Sequence, residues 1–315
     1  MSSKIELSVI VPVTESRYDD IQEIYFEYKK AIESTGLKYE LVYVLDGAHP
    51  TLGDKLESLI KEGEALTIVK LARGFGEATA LRVGFEHSTG DLIMTLPAYQ
   101  QVKHKELQQL VTTLCEEDLD MVVSRRWPRL DSRVNRIQSK VFNKFIMRMT
   151  GTVFNDLGCS VRVFKRKVID EIQLYGDQHR FLPVLAHRYG FKVQEKKVQQ
   201  SQKDMFQRVY PLGIYIRRLL DLLSVFFVIK FTKKPLRFFG LIGCTMFAIG
   251  ALSVFYLVSE RLFAGIELAD RPALMISSLF VVLGVQIVSI GLIGEMIIFT
   301  HAKDIKEYTI EEVIN

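Results

Sequence analysis

Two apolar runs near the C-terminus limit what this chain can become. Phe238–Val258 covers 21 residues without a charged side chain, and Pro272–Gly294 covers 23. At 1.5 Å rise per residue, each matches the ~30 Å hydrocarbon core of a bilayer. A segment that crosses lipid must satisfy its own backbone hydrogen bonds, so both runs are predicted to be helices, paired as a hairpin. About 235 residues precede them, enough for one large domain with a full core.

Lys and Arg placement orients the hairpin. Lys230, Lys233, Lys234 and Arg237 flank the first run. In the stretch between the runs, Arg261 and Arg271 are offset by Glu260, Glu267 and Asp270. Lys303 and Lys306 follow the second run. The excess of positive residues on the cytoplasmic side of spans predicts a cytosolic head and tail, in an inner-membrane, multi-pass protein. Tyr215–Phe231, rich in Leu, Ile, Val and Phe but broken by Arg217, Arg218, Asp221 and Lys230, reads as a helix lying along the membrane surface. An amphipathic core helix is the alternative.

The head alternates two periodicities. Leu7–Val13, Tyr39–Leu45, Leu66–Leu71 and Asp91–Leu96 are strand-like. Asp19–Ser34, Lys55–Lys61 and Glu77–His87 have helical spacing. Alternation at this interval predicts an α/β fold with a parallel sheet covered on both faces. Ligands of such sheets bind at the carboxyl ends of strands. Those ends carry Thr14-Glu15, Asp46-Gly47, Ala72-Arg73-Gly74 and Pro97-Ala98-Tyr99. The N-terminal apolar run is short and reads as the first strand rather than a leader. The net charge of +4 fits an anionic ligand, and interleaved acids argue against nucleic acid. Cys115, Cys159 and Cys244 have no metal-ligand spacing and suit a reducing compartment.

Six stretches carry a resemblance. SVIVPVTE is similar to an opening strand and loop usually written VPVYNE, and VYVLDGAHPT to a strand ending in D-D-G-S. LARGFGEATALRVGFEHSTGD is close to L-x-R-N-F-G-x-x-x-A-L-x-x-G-x-x-x-A-x-G-D. DLGCSVRVFKRKV is similar to an acceptor motif D-x-G-x-x-x-R. HRFLPVLAHRYGF and KKPLRFFG match as well. In this order, they resemble the family 2 glycosyltransferases of GT-A (Rossmann-like) fold, in particular the membrane-bound polyprenyl-phosphate glycosyltransferases, the group of dolichyl-phosphate mannose synthase.

The resemblance implies an inverting transferase that moves a sugar from a nucleotide-sugar donor to a polyprenyl (undecaprenyl) phosphate at the cytosolic membrane face. It divides the chain into a head (1–210), a juxtamembrane helix (211–236), two spans (about 238–258 and 272–297, within 237–300) and a tail (301–315). A homo-oligomer is expected. The donor side would comprise Pro12, Thr14, Glu15, Asp46, Arg73, Gly74, Ala98 and Tyr99, with Asp46 accepting a hydrogen bond from the base and Glu15 beside the ribose or base. Arg125, Arg136 and Ser139 would bind the lipid phosphate. Asp156 would orient the acceptor or act as a base, and Arg162 completes the acceptor motif. Lys203, Arg208 and Tyr210 fall in a loop that could close over the site. His179-Arg180 opens HRFLP, beside the site or as a helix cap.

One departure stands out. The family's D-x-D, which holds a divalent metal (Mg²⁺ or Mn²⁺), is replaced by Pro97-Ala98-Tyr99. Three readings stay open: transfer with Arg and Lys in place of the metal, a metal recruited through His49 or His104, or a catalytically weak relative that binds nucleotide sugar or a partner. The first is preferred, and no metal ligand is assigned. A transferase acting on a diacylglycerol or ceramide is a further alternative, although the Q-x-x-R-W of processive synthases is absent.

Overall fold

The structure, a computed structural model, describes residues 4–14, 20–130, 147, 154–172, 176–204, 235–264 and 272–301. Glu15, Arg136, Ser139, Arg208, Tyr210 and the Tyr215–Phe231 segment lie outside the described residues. The chain divides into two units, Met1–Asp221 with Glu307–Asn315, and Leu222–Lys306, described in turn.

The first unit is built on a seven-stranded sheet of order β3-β2-β1-β4-β6-β5-β7. Its strands are β1 (Leu7–Val13), β2 (Tyr39–Leu45), β3 (Thr67–Lys70), β4 (Leu92–Thr95), β5 (Met121–Arg126), β6 (Arg162–Lys165) and β7 (Val193–Val198). β1 to β4 are mutually parallel, as the alternating pattern predicts. β6 runs antiparallel between β4 and β5, and β5 pairs parallel with β7.

β1 is buried along its whole length, which is why it reads as an unbroken apolar run rather than an alternating one. Its odd residues, Leu7 to Val13, join a core with α1 (Ile21–Glu33), α2 (Pro50–Lys61) and α4 (Lys105–Glu116). Ile10 faces the other side, toward α3 (Glu77–Glu86), and a Cβ on Gly84 of α3 would collide with its side chain. Asp20 caps α1 by accepting from Gln22 N–H at 3.1 Å. α2 starts five residues earlier than the apolar spacing indicates, because Pro50 occupies its first turn, where a missing N–H costs nothing. After β6 come α5 (Lys167–Glu171), a 3-10 turn (Gly176–Phe181) and α6 (Leu182–Arg188).

The second unit is a pair of 30-residue helices, α7 (Pro235–Ala264) and α8 (Pro272–His301). Spans Pro235–Phe263 and Pro272–Ile297 are long and apolar enough to cross a bilayer. Their outward faces are apolar too: Phe263 is 90% exposed and Met275 78%, the pattern of helices whose solvent is lipid. Small residues bring the helices together. A Cβ on Gly284 would sit 2.6 Å from Phe247 N, and one on Gly243 2.7 Å from Gly284 O, so neither site admits a larger side chain without separating the backbones. Glu295 of α8 accepts from Leu236 N–H at 3.3 Å, a carboxylate at the N-terminus of α7 where the helix dipole favours it.

Candidate active site

The carboxyl ends of β1, β2 and β4 share one edge of the sheet. Asp46 follows β2 and is buried. Its Oδ1 accepts from Phe75 N–H at 2.7 Å and its Oδ2 from Gly76 N–H at 2.9 Å. The carboxylate therefore shapes the Arg73–Gly76 loop, in addition to any ligand contact its remaining lone pairs allow. Asp46, expected from the resemblance to meet the base, is here also a clamp between two loops. Gly47 has φ +105° and lies so close to the second loop that a Cβ would be 3.2 Å from Gly74 N. Gly76, at φ +97°, opens α3; only glycine takes such angles without strain. Arg73 is exposed, its guanidinium carbon 5.0 Å from the Phe75 ring centroid. Thr14 follows β1, and Pro12 lines a small cavity at this edge of the sheet.

Pro97, Ala98 and Tyr99 follow β4. Tyr28 from α1 donates its hydroxyl to the Pro97 carbonyl at 2.8 Å and also reaches the Tyr99 carbonyl at 3.1 Å. Gln101 links this corner to the acceptor loop. Its Nε2 lies 3.2 Å from the Tyr99 hydroxyl and 3.4 Å from the Gly158 carbonyl, and its Oε1 accepts from Ser160 N–H at 2.8 Å. Thr95 adds a bond to the Ser160 carbonyl at 2.8 Å. Tyr99, on the predicted donor side, and the Asp156–Arg162 stretch of the acceptor motif are thus joined through one side chain.

Asp156 is almost inaccessible, and its partner is Arg126. Arg126 Nε donates to Oδ2 at 2.8 Å and Nη2 to Oδ1 at 2.9 Å, a two-pronged pair, while Nη1 reaches Asp204 at 3.0 Å. Arg129 Nη1 lies 3.7 Å from Asp156 Oδ1. Burial works against charge on Asp156, but Arg126 outweighs it and holds the carboxyl below its usual range. Glu195 of β7 accepts from the backbone N–H of Asn155 at 2.7 Å and of Asp156 at 2.9 Å. Arg125 points the other way: it is partly exposed, 3.8 Å from Glu195 Oε2 and 5.5 Å from the Trp127 ring centroid. Lys203, next to Asp204, pairs with Glu23 of α1 at 2.7 Å.

Arg162 is buried and spends its donors on carbonyls: Cys159 at 3.2 Å, His179 at 2.6 Å, Leu157 at 3.3 Å and Arg180 at 3.2 Å. It ties the acceptor loop to the 3-10 turn, and burial pushes its pKa down to about 10. His179 is itself buried. Its Nε2 lies 3.4 Å from Glu77 Oε2, within ion-pair range but poorly aligned for a hydrogen bond, and its Nδ1 makes none. Burial raises the Glu77 pKa, but His179, Arg180 and Arg162 together pull it below the usual value. Glu77 and His179 line the same cavity as Pro12, Thr95, Ser160 and Arg162.

The residues at the β4 end do not suit a divalent metal. Mg²⁺ and Mn²⁺ take anionic oxygens; Pro97 and Tyr99 offer none, and Asp156 is held by Arg126. His49 Nε2 is 3.2 Å from the Asp46 carbonyl and His104 Nδ1 is 3.3 Å from Gln100 Nε2. Among the described residues, no three His, Cys, Asp or Glu side chains gather as a metal-binding group.

Asp204, Glu195 and Tyr28 join this arrangement without a local signal in the sequence. Arg126 stands in the acceptor-side stretch Ser124-Arg125-Arg126, and strand alternation decides which of its two arginines turns inward.

Residues 8–173 match the profile described as glycosyl transferase family 2. Dodecaprenyl-phosphate galacturonate synthase of Rhizobium johnstonii is 30% identical over 304 residues, 95% of this chain and 90% of that protein. Undecaprenyl-phosphate 4-deoxy-4-formamido-L-arabinose transferase of Shewanella sediminis is 30% identical over 312 residues, 98% of this chain and 92% of that protein. Among solved structures, glucosyl-3-phosphoglycerate synthase of Mycobacterium tuberculosis in complex with Mn²⁺, UDP and phosphoglyceric acid superposes with TM-score 0.53 at 13% identity, over 70% of this chain and 78% of that one. Mannosyl-3-phosphoglycerate synthase of Rubrobacter xylanophilus does so with TM-score 0.54 at 15% identity, over 70% and 73%; these two likenesses are of fold. By sequence over more than half its length, and by a sheet of matching fold, the chain is a glycosyltransferase and belongs to glycosyl transferase family 2.

Proposed function

We propose that this enzyme transfers a sugar from a nucleotide-sugar donor to a polyprenyl phosphate, undecaprenyl phosphate being the natural candidate, at the cytosolic face of the inner membrane. The observation that carries this reading is the extent of the relationship. Both polyprenyl-phosphate sugar transferases align over at least 95% of this chain, apolar helices included. A lipid acceptor accounts for the pairing of a transferase head (1–210) with a juxtamembrane segment (211–236), two spans (237–300) and a tail (301–315).

The acceptor chemistry fits the geometry. An acceptor phosphate oxygen attacks the anomeric carbon of the sugar, the bond from that carbon to the diphosphate breaks, and the nucleoside diphosphate leaves with the electron pair. The configuration inverts. A phosphate is already ionised near pH 7, so no base is needed. Asp156, with both oxygens bound to Arg126, is poorly placed to be one, and its role is to position the acceptor loop. A hydroxyl acceptor such as diacylglycerol would need a proton removed. Arg125, Arg136 and Ser139 supply the phosphate contacts in this reading, and the Asp46 and Arg73–Gly76 loops the nucleotide contacts.

The test is incubation of the full-length protein in lipid nanodiscs with a panel of radiolabelled nucleotide sugars and undecaprenyl phosphate. Transfer of label from at least one donor to the lipid, with release of the nucleoside diphosphate, is expected. Nucleotide-sugar binding without transfer from any donor would replace this reading with a binding or scaffolding role.

A further inference from the structure

The disagreement between the β4 end and the family's acidic pair has its own consequence. A divalent cation beside a diphosphate needs protein oxygens that are anionic and available. Several oxygens along this edge already accept hydrogen bonds. The Pro97 carbonyl accepts from Tyr28, whose hydroxyl also lies 3.1 Å from the Tyr99 carbonyl. Gln101 Oε1 accepts from Ser160 N–H and from the Cys159 thiol. Each Asp156 oxygen accepts from Arg126, and each Asp46 oxygen accepts a backbone N–H.

On the acceptor side, Arg126 of Ser124-Arg125-Arg126 is buried and binds two aspartates, one following β7 and one in the acceptor loop. It therefore fixes, with a protein cation, carboxylates that border the catalytic edge.

We propose that this enzyme binds the nucleoside diphosphate of its donor without a divalent cation, the Arg126–Asp156–Asp204 cluster holding together the edge that a metal would otherwise organise. The proposal rests on the transferase reading above and adds the manner of donor binding.

It is tested by calorimetric titration of the full-length protein in nanodiscs with UDP, GDP and CDP, once in EDTA and once with Mn²⁺. Electron paramagnetic resonance of Mn²⁺ is recorded on the same samples. At least one nucleotide should bind in EDTA with an affinity that Mn²⁺ changes by less than about threefold, and the nucleotide should recruit no protein-bound Mn²⁺ signal. Binding that Mn²⁺ tightens about tenfold or more, equivalent to about 1.4 kcal/mol, overturns the proposal and leaves the transferase reading in place. Its ligands would then lie outside the described residues, with Glu15 the first to test. Absence of binding under both conditions overturns the proposal together with the reading on which it rests.

Discussion

At the scale of single residues, the site depends on two carboxylates that serve the fold as much as any ligand. Asp46→Ala removes the acceptor for Phe75 and Gly76 N–H. Losing charge-assisted bonds of this kind costs about 1.5–3 kcal/mol, so the variant should lose both thermal stability and donor affinity. A melting temperature equal to wild type would reduce Asp46 to a replaceable turn residue. Arg126→Met should be worse: it strands Asp156 and Asp204 in the interior, at a cost of about 3–5 kcal/mol. Arg125→Ala, one position away, removes a partly exposed, long ion pair and should cost under about 1 kcal/mol. Denaturation midpoints of the two variants decide this, and equal losses would contradict it. Acid adds a check. Asp156 and Glu77 both titrate below their ordinary values of 3.8 and 4.5 in the folded protein. Their contribution is complete above those values and is lost as pH falls below about 4.5 and through the folded-state values. Glu77→Gln should flatten the upper part of that acid transition, read as melting temperature against pH. The Arg125 and Arg126 contrast also marks a limit of sequence reading. Both arginines stood in a recognisable stretch, but which one is buried depends on where β5 begins, and a one-residue slip exchanges the faces.

At the scale of elements, legibility followed burial. β1 and β2 were readable to the residue, since both are apolar runs within the parallel part of the sheet, flanked by a strand on each side. β3 and β4, four residues each, were located with ends one residue too long. β6 was not anticipated: it is four residues, Arg-Val-Phe-Lys, and its antiparallel direction comes from pairing with distant β4 and β5 rather than from local pattern. The two C-terminal helices were legible as spans, but not how they meet. Gly284→Leu should force α7 and α8 apart, because the new Cβ would lie 2.6 Å from Phe247 N. SDS titration in bicelles should show a lower unfolding midpoint for Gly284→Leu. Leu241→Val, at a residue 72% exposed, should leave the midpoint unchanged. A shift of equal size in both would mean that the glycine contact does not hold the pair.

At the scale of the whole molecule, a family 2 transferase head and an apolar hairpin share one chain, as a phosphate-bearing lipid acceptor requires. The hairpin should keep the protein in membranes through a carbonate wash, with the head open to protease only from the cytosolic side. Release by carbonate would remove the reason for a lipid acceptor. The central claim is the identity of the acceptor group, and one competition measures it most directly. Full-length protein in nanodiscs receives equimolar undecaprenyl phosphate, undecaprenol and diacylglycerol with the nucleotide-sugar panel, and the lipids are analysed by mass spectrometry. A single-sugar mass increment on the phosphate lipid alone is expected. An increment on either hydroxyl lipid, with the phosphate lipid unmodified, would contradict it.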